Sequence, residues 1–82
     1  MNIAIVGYGK MGHEIERLAK LKNINVVSII DPSADGANYK ELTKESLDKA
    51  DVCIDFSDPG SVVDNIKKIS KFKKNIVVGT TA

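Results

Sequence analysis

Residues 7–12 read Gly7-Tyr8-Gly9-Lys10-Met11-Gly12, directly behind the apolar run Ile3-Ala4-Ile5-Val6. A run that is apolar at successive positions, rather than at alternate ones, suits a strand covered on both faces. Behind the glycines, residues 10–22 place Met11, Ile15, Leu18 and Ala19 at spacings of four, three and one. They therefore share one helical face, while Glu14, Glu16, Arg17 and Lys20 fall elsewhere. Strand, glycine loop and amphipathic helix in immediate succession leave few folds open, because each glycine answers a separate steric demand. Gly7 makes the tight turn, Gly9 lets an anion approach the backbone where a Cβ would stand, and Gly12 lets helix and strand pack closely.

The glycine triplet alone is a weak signal. It becomes strong here because an acidic residue, Asp31, follows Gly12 by 19 positions, at the end of a second β-rich run, and so completes the dinucleotide-binding pattern. That run, residues 25–30, is closed by Asp31-Pro32, since proline does not continue a ladder. Residues 33–40 are read as a loop around Asp35-Gly36, followed by a short helix over about residues 43–49. A third strand is expected over residues 51–56, then a helix capped by Asp58 with Pro59 at its first position and Val62, Val63, Ile66 and Ile69 on one face. Residues 75–78 form a fourth strand, after which the sequence closes on Gly79-Thr80-Thr81-Ala82.

Alternating strands and helices predict an α/β fold, a Rossmann-type doubly wound parallel sheet of about four strands in the order 3-2-1-4. The 82 residues make one dinucleotide-binding domain and leave no room for a second, substrate-holding one, which is expected to lie outside this chain. With 12 basic and 11 acidic residues the formal charge is +1, so no field favouring nucleic acid or an anionic membrane is built in. Lys67, Lys68, Lys71, Lys73 and Lys74 read as a solvated helix face. No apolar run reaches the roughly 18 residues needed to span a bilayer. Cys53, the single cysteine, lies in an apolar run and excludes an intrachain disulfide. A cytoplasmic protein is the expectation.

The expected ligand is NADH or NADPH. Free N–H groups at the start of the first helix, aided by its dipole, face the pyrophosphate. Asp31 is placed to accept hydrogen bonds from the adenosine ribose and to repel a 2′-phosphate, while Lys10 offers a flexible cation to that same phosphate. The two pull in opposite directions, so use of both cofactors with a modest preference for NADH is expected. Ser57 and Gly79-Thr80-Thr81 lie at the carboxyl ends of the third and fourth strands, the edge where open α/β sheets bind ligands, and are candidates for the nicotinamide side. Phe56 either flanks the cofactor or packs in the core. His13 has no second histidine or cysteine with which to hold a metal, and Asp51, Asp55 and Asp58 do not make a catalytic pair. No metal site and no catalytic residue are assigned.

Three segments resemble the 4-hydroxy-tetrahydrodipicolinate (dihydrodipicolinate) reductases of lysine and diaminopimelate synthesis. They are Ile5-Val6-Gly7-Tyr8-Gly9-Lys10-Met11-Gly12, Asp51-Val52-Cys53-Ile54-Asp55-Phe56-Ser57-Asp58-Pro59 and Val77-Val78-Gly79-Thr80-Thr81. The last two are the more specific. The resemblance implies cofactor contacts at Gly7, Lys10, Met11, Gly12, Asp31, Phe56, Gly79 and Thr81, with Gly9 and Thr80 added by position. It further implies hydride transfer to a cyclic imine-type dicarboxylate and a homotetramer assembled through the substrate domain. The family's His-His-x-x-x-Lys catalytic segment and its Gly-Thr substrate loop have no counterpart in these residues, and Ala82 stands where a glycine is usual. A stand-alone dinucleotide-binding or redox-sensing module, and the cofactor domain of another Rossmann dehydrogenase, are the alternative readings.

Overall fold

A computed structural model describes residues 1–79. Thr80 and Thr81, both candidate cofactor residues, lie outside the described residues. Strands β1 (Asn2–Val6), β2 (Asn25–Ile30), β3 (Val52–Asp55) and β4 (Asn75–Val78) alternate with helices α1 (Lys10–Leu21), α2 (Lys44–Leu47) and α3 (Pro59–Lys71). All strand pairings are parallel. The uninterrupted apolar run of β1 follows from its central place. Ile3 and Ile5 point to the face covered by α1 and cluster with Tyr8, Ala19 and Ile29, whereas Ala4 and Val6 point to the other and cluster with Ile30, Leu47, Cys53 and Ile69. The helices thus sheathe both faces of one sheet, the Rossmann-type α/β fold expected. Among the described residues no helix is long and apolar enough to cross a membrane.

The sheet order is β2-β1-β3-β4. The strand expected third therefore lies beside β1, not outside β2. The place beyond β2 is held by one residue, Tyr39, which makes an isolated parallel bridge to Ile30. Its N–H donates to the Ile29 carbonyl at 3.1 Å and its carbonyl accepts from the Asp31 N–H at 3.0 Å. With Tyr39 in third place the sheet reads 3-2-1-4 outward, and β4 is added beyond. Residues 33–40, read from sequence as loop, contribute this one bridge, and Tyr39 packs with Leu42 against the core cluster.

All three helices differ in detail from the sequence reading; in α1, Met11 (53% exposed) and Leu18 (40%) of the expected apolar face stand exposed, while Ala19 is buried. α2 has only four residues, started by a capping box in which Thr43 and Ser46 each bond the other's backbone N–H. In α3 the inward face is Val62, Asn65, Ile66 and Ile69, while Val63 is 58% exposed and so is not on the core face. The Asp58 side chain caps α3 by accepting from the Ser61 N–H at 3.1 Å, with Pro59 in the first turn.

Candidate functional site

The carboxyl ends of β1, β2 and β3 open into a cleft of about 520 Å³. Its floor is built by the glycine loop. Gly7 sits at φ +93, a conformation that L side chains avoid, and donates its N–H to the Ile30 carbonyl at 2.8 Å. A Cβ at Gly7 would stand 2.7 Å from the Ser57 nitrogen, so the turn also packs against the residues following β3. A Cβ at Gly12 would run into the Gly7 carbonyl oxygen. Both glycines are therefore required by the protein's own packing.

Gly9 is different. It is the N-cap of α1, its φ of −89 is open to any residue, and nothing lies within 4 Å of where its Cβ would be. No side chain caps α1, and no acidic residue sits in its first turn. The first N–H groups of a helix have no intrahelical partner. A bare backbone, unclaimed donors and the positive end of the helix dipole thus converge on open space, which suits a pyrophosphate. Lys10 and Met11 follow on the exposed start of α1 and do not line the cleft; Gly12 is buried beneath the loop.

Tyr8 anchors the loop. Its ring stacks on His13 with centroids 3.7 Å apart, and its hydroxyl donates to Glu16. His13 itself is exposed and places Nδ1 2.8 Å from the Gly9 carbonyl. The backbone N–H of Tyr8 donates to Asp31 Oδ2 at 2.8 Å, while Asp31 Oδ1 accepts from the N–H groups of Ser33 and Ala34, both at 2.9 Å, and from Ser33 Oγ at 3.4 Å. Partial burial acts to raise the Asp31 pKa. The N–H groups of Tyr8, Ser33 and Ala34 outweigh it and hold the carboxyl below its ordinary value, fully ionised near neutrality.

On the other side of Gly7, Asp55 is wholly buried at the end of β3. Its Oδ1 accepts from the N–H of Ser57 at 2.8 Å and from Ser57 Oγ, and Ser57 Oγ accepts in turn from Asn65 Nδ2 at 2.9 Å. Asp55 Oδ2 has no partner among the described residues. This carboxylate shapes the Phe56-Ser57 turn, both residues of which line the cleft. Gly79, whose N–H donates to the Asp55 carbonyl at 2.9 Å, lies so close to the Phe56 ring that a Cβ there would displace it. Cys53 is sealed on the same face of β3, its thiol pushed up to about 11 by burial, and behaves as a small hydrophobe.

Of the candidates named from sequence, Gly7, Gly9, Asp31, Phe56 and Ser57 are brought together around the cleft. Sequence reading missed Ser33, Lys40, Asn65 and Lys68, which line it as well. Asn65 had a signal: it lies three residues after Val62 and four before Ile69, on the inward face of α3. Lys40 had none, because its place depends on the Tyr39 bridge.

Comparison with known proteins agrees with this geometry. The family model described as dihydrodipicolinate reductase, N-terminus, matches residues 1–82. Proteins named 4-hydroxy-tetrahydrodipicolinate reductase are similar to the chain. That of Christiangramia forsetii is 35% identical over 99% of this chain and 31% of its own length. That of Pelagibacter ubique is 34% identical over 99% of the chain and 34% of its own length. That of Dictyoglomus turgidum is 36% identical over 89% of the chain and 32% of its own length. The chain spans about a third of the length of these curated relatives. With the parallel sheet, the glycine loop and a family match over its whole length, the chain belongs to the dihydrodipicolinate reductase amino-terminal domain family.

Proposed function

We propose that this chain is the NAD(P)H-binding domain of a reductase that transfers hydride to a cyclic imine-type dicarboxylate in lysine and diaminopimelate synthesis. In this reading Gly9 and the first turn of α1 hold the pyrophosphate, Asp31 and the cleft wall beside it receive the adenosine ribose, and Phe56, Ser57, Gly79, Thr80 and Thr81 flank the nicotinamide. The cofactor supplies the hydride; the chain's own residues bind and orient it. Both NADH and NADPH are accepted, with NADH modestly favoured. Substrate binding and assembly of a cytoplasmic homotetramer belong to a further domain.

The observation that carries this reading is the open space at Gly9. Gly7 and Gly12 are explained by internal packing, whereas a Cβ at Gly9 meets nothing and its φ strains no residue. The test is Gly9→Val followed by calorimetric titration with NADH and NADPH. The variant is expected to fold with unchanged secondary structure and to lose binding of both, because its side chain occupies the phosphate position. Undiminished affinity in the folded variant refutes the assignment.

A further inference from the structure

We propose that His13 is a positioning residue of the glycine loop and links the loop's grip on an anion to pH. Its ring holds the Gly9 carbonyl and so aims the Lys10 N–H outward, and its protonated form adds a positive charge beside the loop. This rests on the dinucleotide-binding reading above and adds to it how that site is regulated.

Three observations carry it. The first is a single peptide plane. The Gly9 carbonyl and the Lys10 N–H belong to one planar unit and point in opposite directions. That carbonyl accepts from the His13 N–H at 3.0 Å and lies 2.8 Å from His13 Nδ1. Two bonds from one residue hold it towards the helix, so the Lys10 N–H is held facing outward from the helix start. Hydrogen bonds in series polarise one another, and a carbonyl that accepts twice makes the N–H of its own peptide a stronger donor.

The second is the tautomer. A carbonyl oxygen only accepts, so Nδ1 carries the ring proton and Nε2 is the position left to take up another. Protonation at Nε2 keeps the bond to Gly9 and adds a positive charge without releasing the loop. His13 is exposed and is the single histidine of the chain.

The third is that the ring is held in place. It stacks on Tyr8 with centroids 3.7 Å apart and planes 16° from parallel. Tyr8 is fixed in turn, by its hydroxyl on Glu16, its N–H on Asp31 and the close approach of Gly36 to its ring. The charged groups around this stack are Lys10, Glu14, Glu16 and Arg17 on α1, Asp31 at the end of β2, and Asp35 in the segment packed beside Tyr8. Glu14 pairs with Arg17, Glu16 with Lys20 and the Tyr8 hydroxyl, and Asp31 with the N–H groups of Tyr8, Ser33 and Ala34. Glu14, Glu16 and Asp31 are thus engaged elsewhere, which leaves a charge gained at His13 to act on an anion in the loop.

The probe is ADP-ribose, whose two phosphates are diesters and keep a constant charge. It is titrated calorimetrically against the full chain at about pH 8 and about pH 5.5, on either side of the ordinary imidazole midpoint. Binding is expected to tighten by about threefold at the lower pH, the scale of one partly screened charge, and added salt to shrink that response. His13→Ala is expected to weaken binding by about twofold at the higher pH and about sixfold at the lower, where the charge is lost as well. His13→Gln, whose amide can donate to the same carbonyl, is expected to recover the loss at the higher pH only. His13→Arg, charged throughout and able to stack on Tyr8, is expected to bind well at both and to show no pH response. A pH response that survives in His13→Gln or His13→Arg overturns the proton linkage. Equal affinity of His13→Ala and the unaltered chain at the higher pH overturns the positioning role. Either result leaves dinucleotide binding intact, whereas failure of the unaltered chain to bind ADP-ribose at both pH values overturns the two readings together.

Discussion

The backbone N–H of Tyr8, inside the glycine loop, donates to Asp31 Oδ2 at 2.8 Å, and this bond ties the phosphate loop to the end of β2. Asp31 is thus first a part that holds the cleft in shape and only then a ribose ligand. Asp31→Ala is expected to weaken NADH by roughly tenfold or more and NADPH less, because losing the carboxylate also relieves repulsion of the 2′-phosphate, and to destabilise the fold by about 1.5–3 kcal/mol, the worth of hydrogen bonds to a charged group. Calorimetry and denaturant titration of the same variant check the two effects.

The depressed pKa of Asp31 makes stability depend on pH with a definite sign. A carboxyl that is more acidic folded than unfolded contributes stability above its unfolded value, roughly 4, and loses it as pH falls through the folded one. Melting temperatures are expected to fall on acidification below about pH 4. In Asp31→Asn this part of the acid dependence disappears, so the two curves converge at low pH.

Gly9 and Gly12 separate ligand binding from folding. Gly12→Ala places a methyl against the Gly7 carbonyl and is expected to destabilise by about 1–3 kcal/mol, whereas Gly9→Ala meets open space and is expected to change stability by about 0.5 kcal/mol or less. Chemical denaturation of the pair, run without cofactor, measures the contrast.

Of the three spaced aspartates, Asp55 has a role that spacing alone does not reveal. Buried, with Oδ1 holding both Ser57 groups, it governs the Phe56-Ser57 turn. Asp55→Ala leaves the Ser57 N–H and hydroxyl without that acceptor and is expected to destabilise by about 2–3 kcal/mol. Asp55→Asn, which keeps an oxygen at Oδ1, is expected to lose less. The comparison is read from denaturation midpoints, and equal losses would show that the charge rather than the Oδ1 acceptor matters.

Ser28 is 2% exposed and its hydroxyl has no partner among the described residues. Ser28→Ala removes a buried, unsatisfied polar group at nearly constant volume and is expected to stabilise the domain by about 1 kcal/mol. A rise in melting temperature checks it; a fall would mean that the hydroxyl is satisfied in solution.

What could be read from the sequence was what neighbours along the chain decide. The strand–glycine–helix unit at residues 2–21, the Asp58-Pro59 start of α3 and the inward Ile69 follow from steric demands and periodicities within a few residues. The tertiary structure decided what depends on pairing across long separations. Tyr39 makes a single bridge to Ile30 where a strand is expected beyond β2, and residues 52–55 pair with β1 instead. The same bridge sets Lys40 at the level of Asp31, and the close of α3 on β3 joins Asn65 to Ser57 and Asp55. Apart from Ser57 and Asp55, none of these partners lies within one helical turn or one tight turn of the other. Local propensity is silent on them, and only the burial of both faces of the sheet selects them.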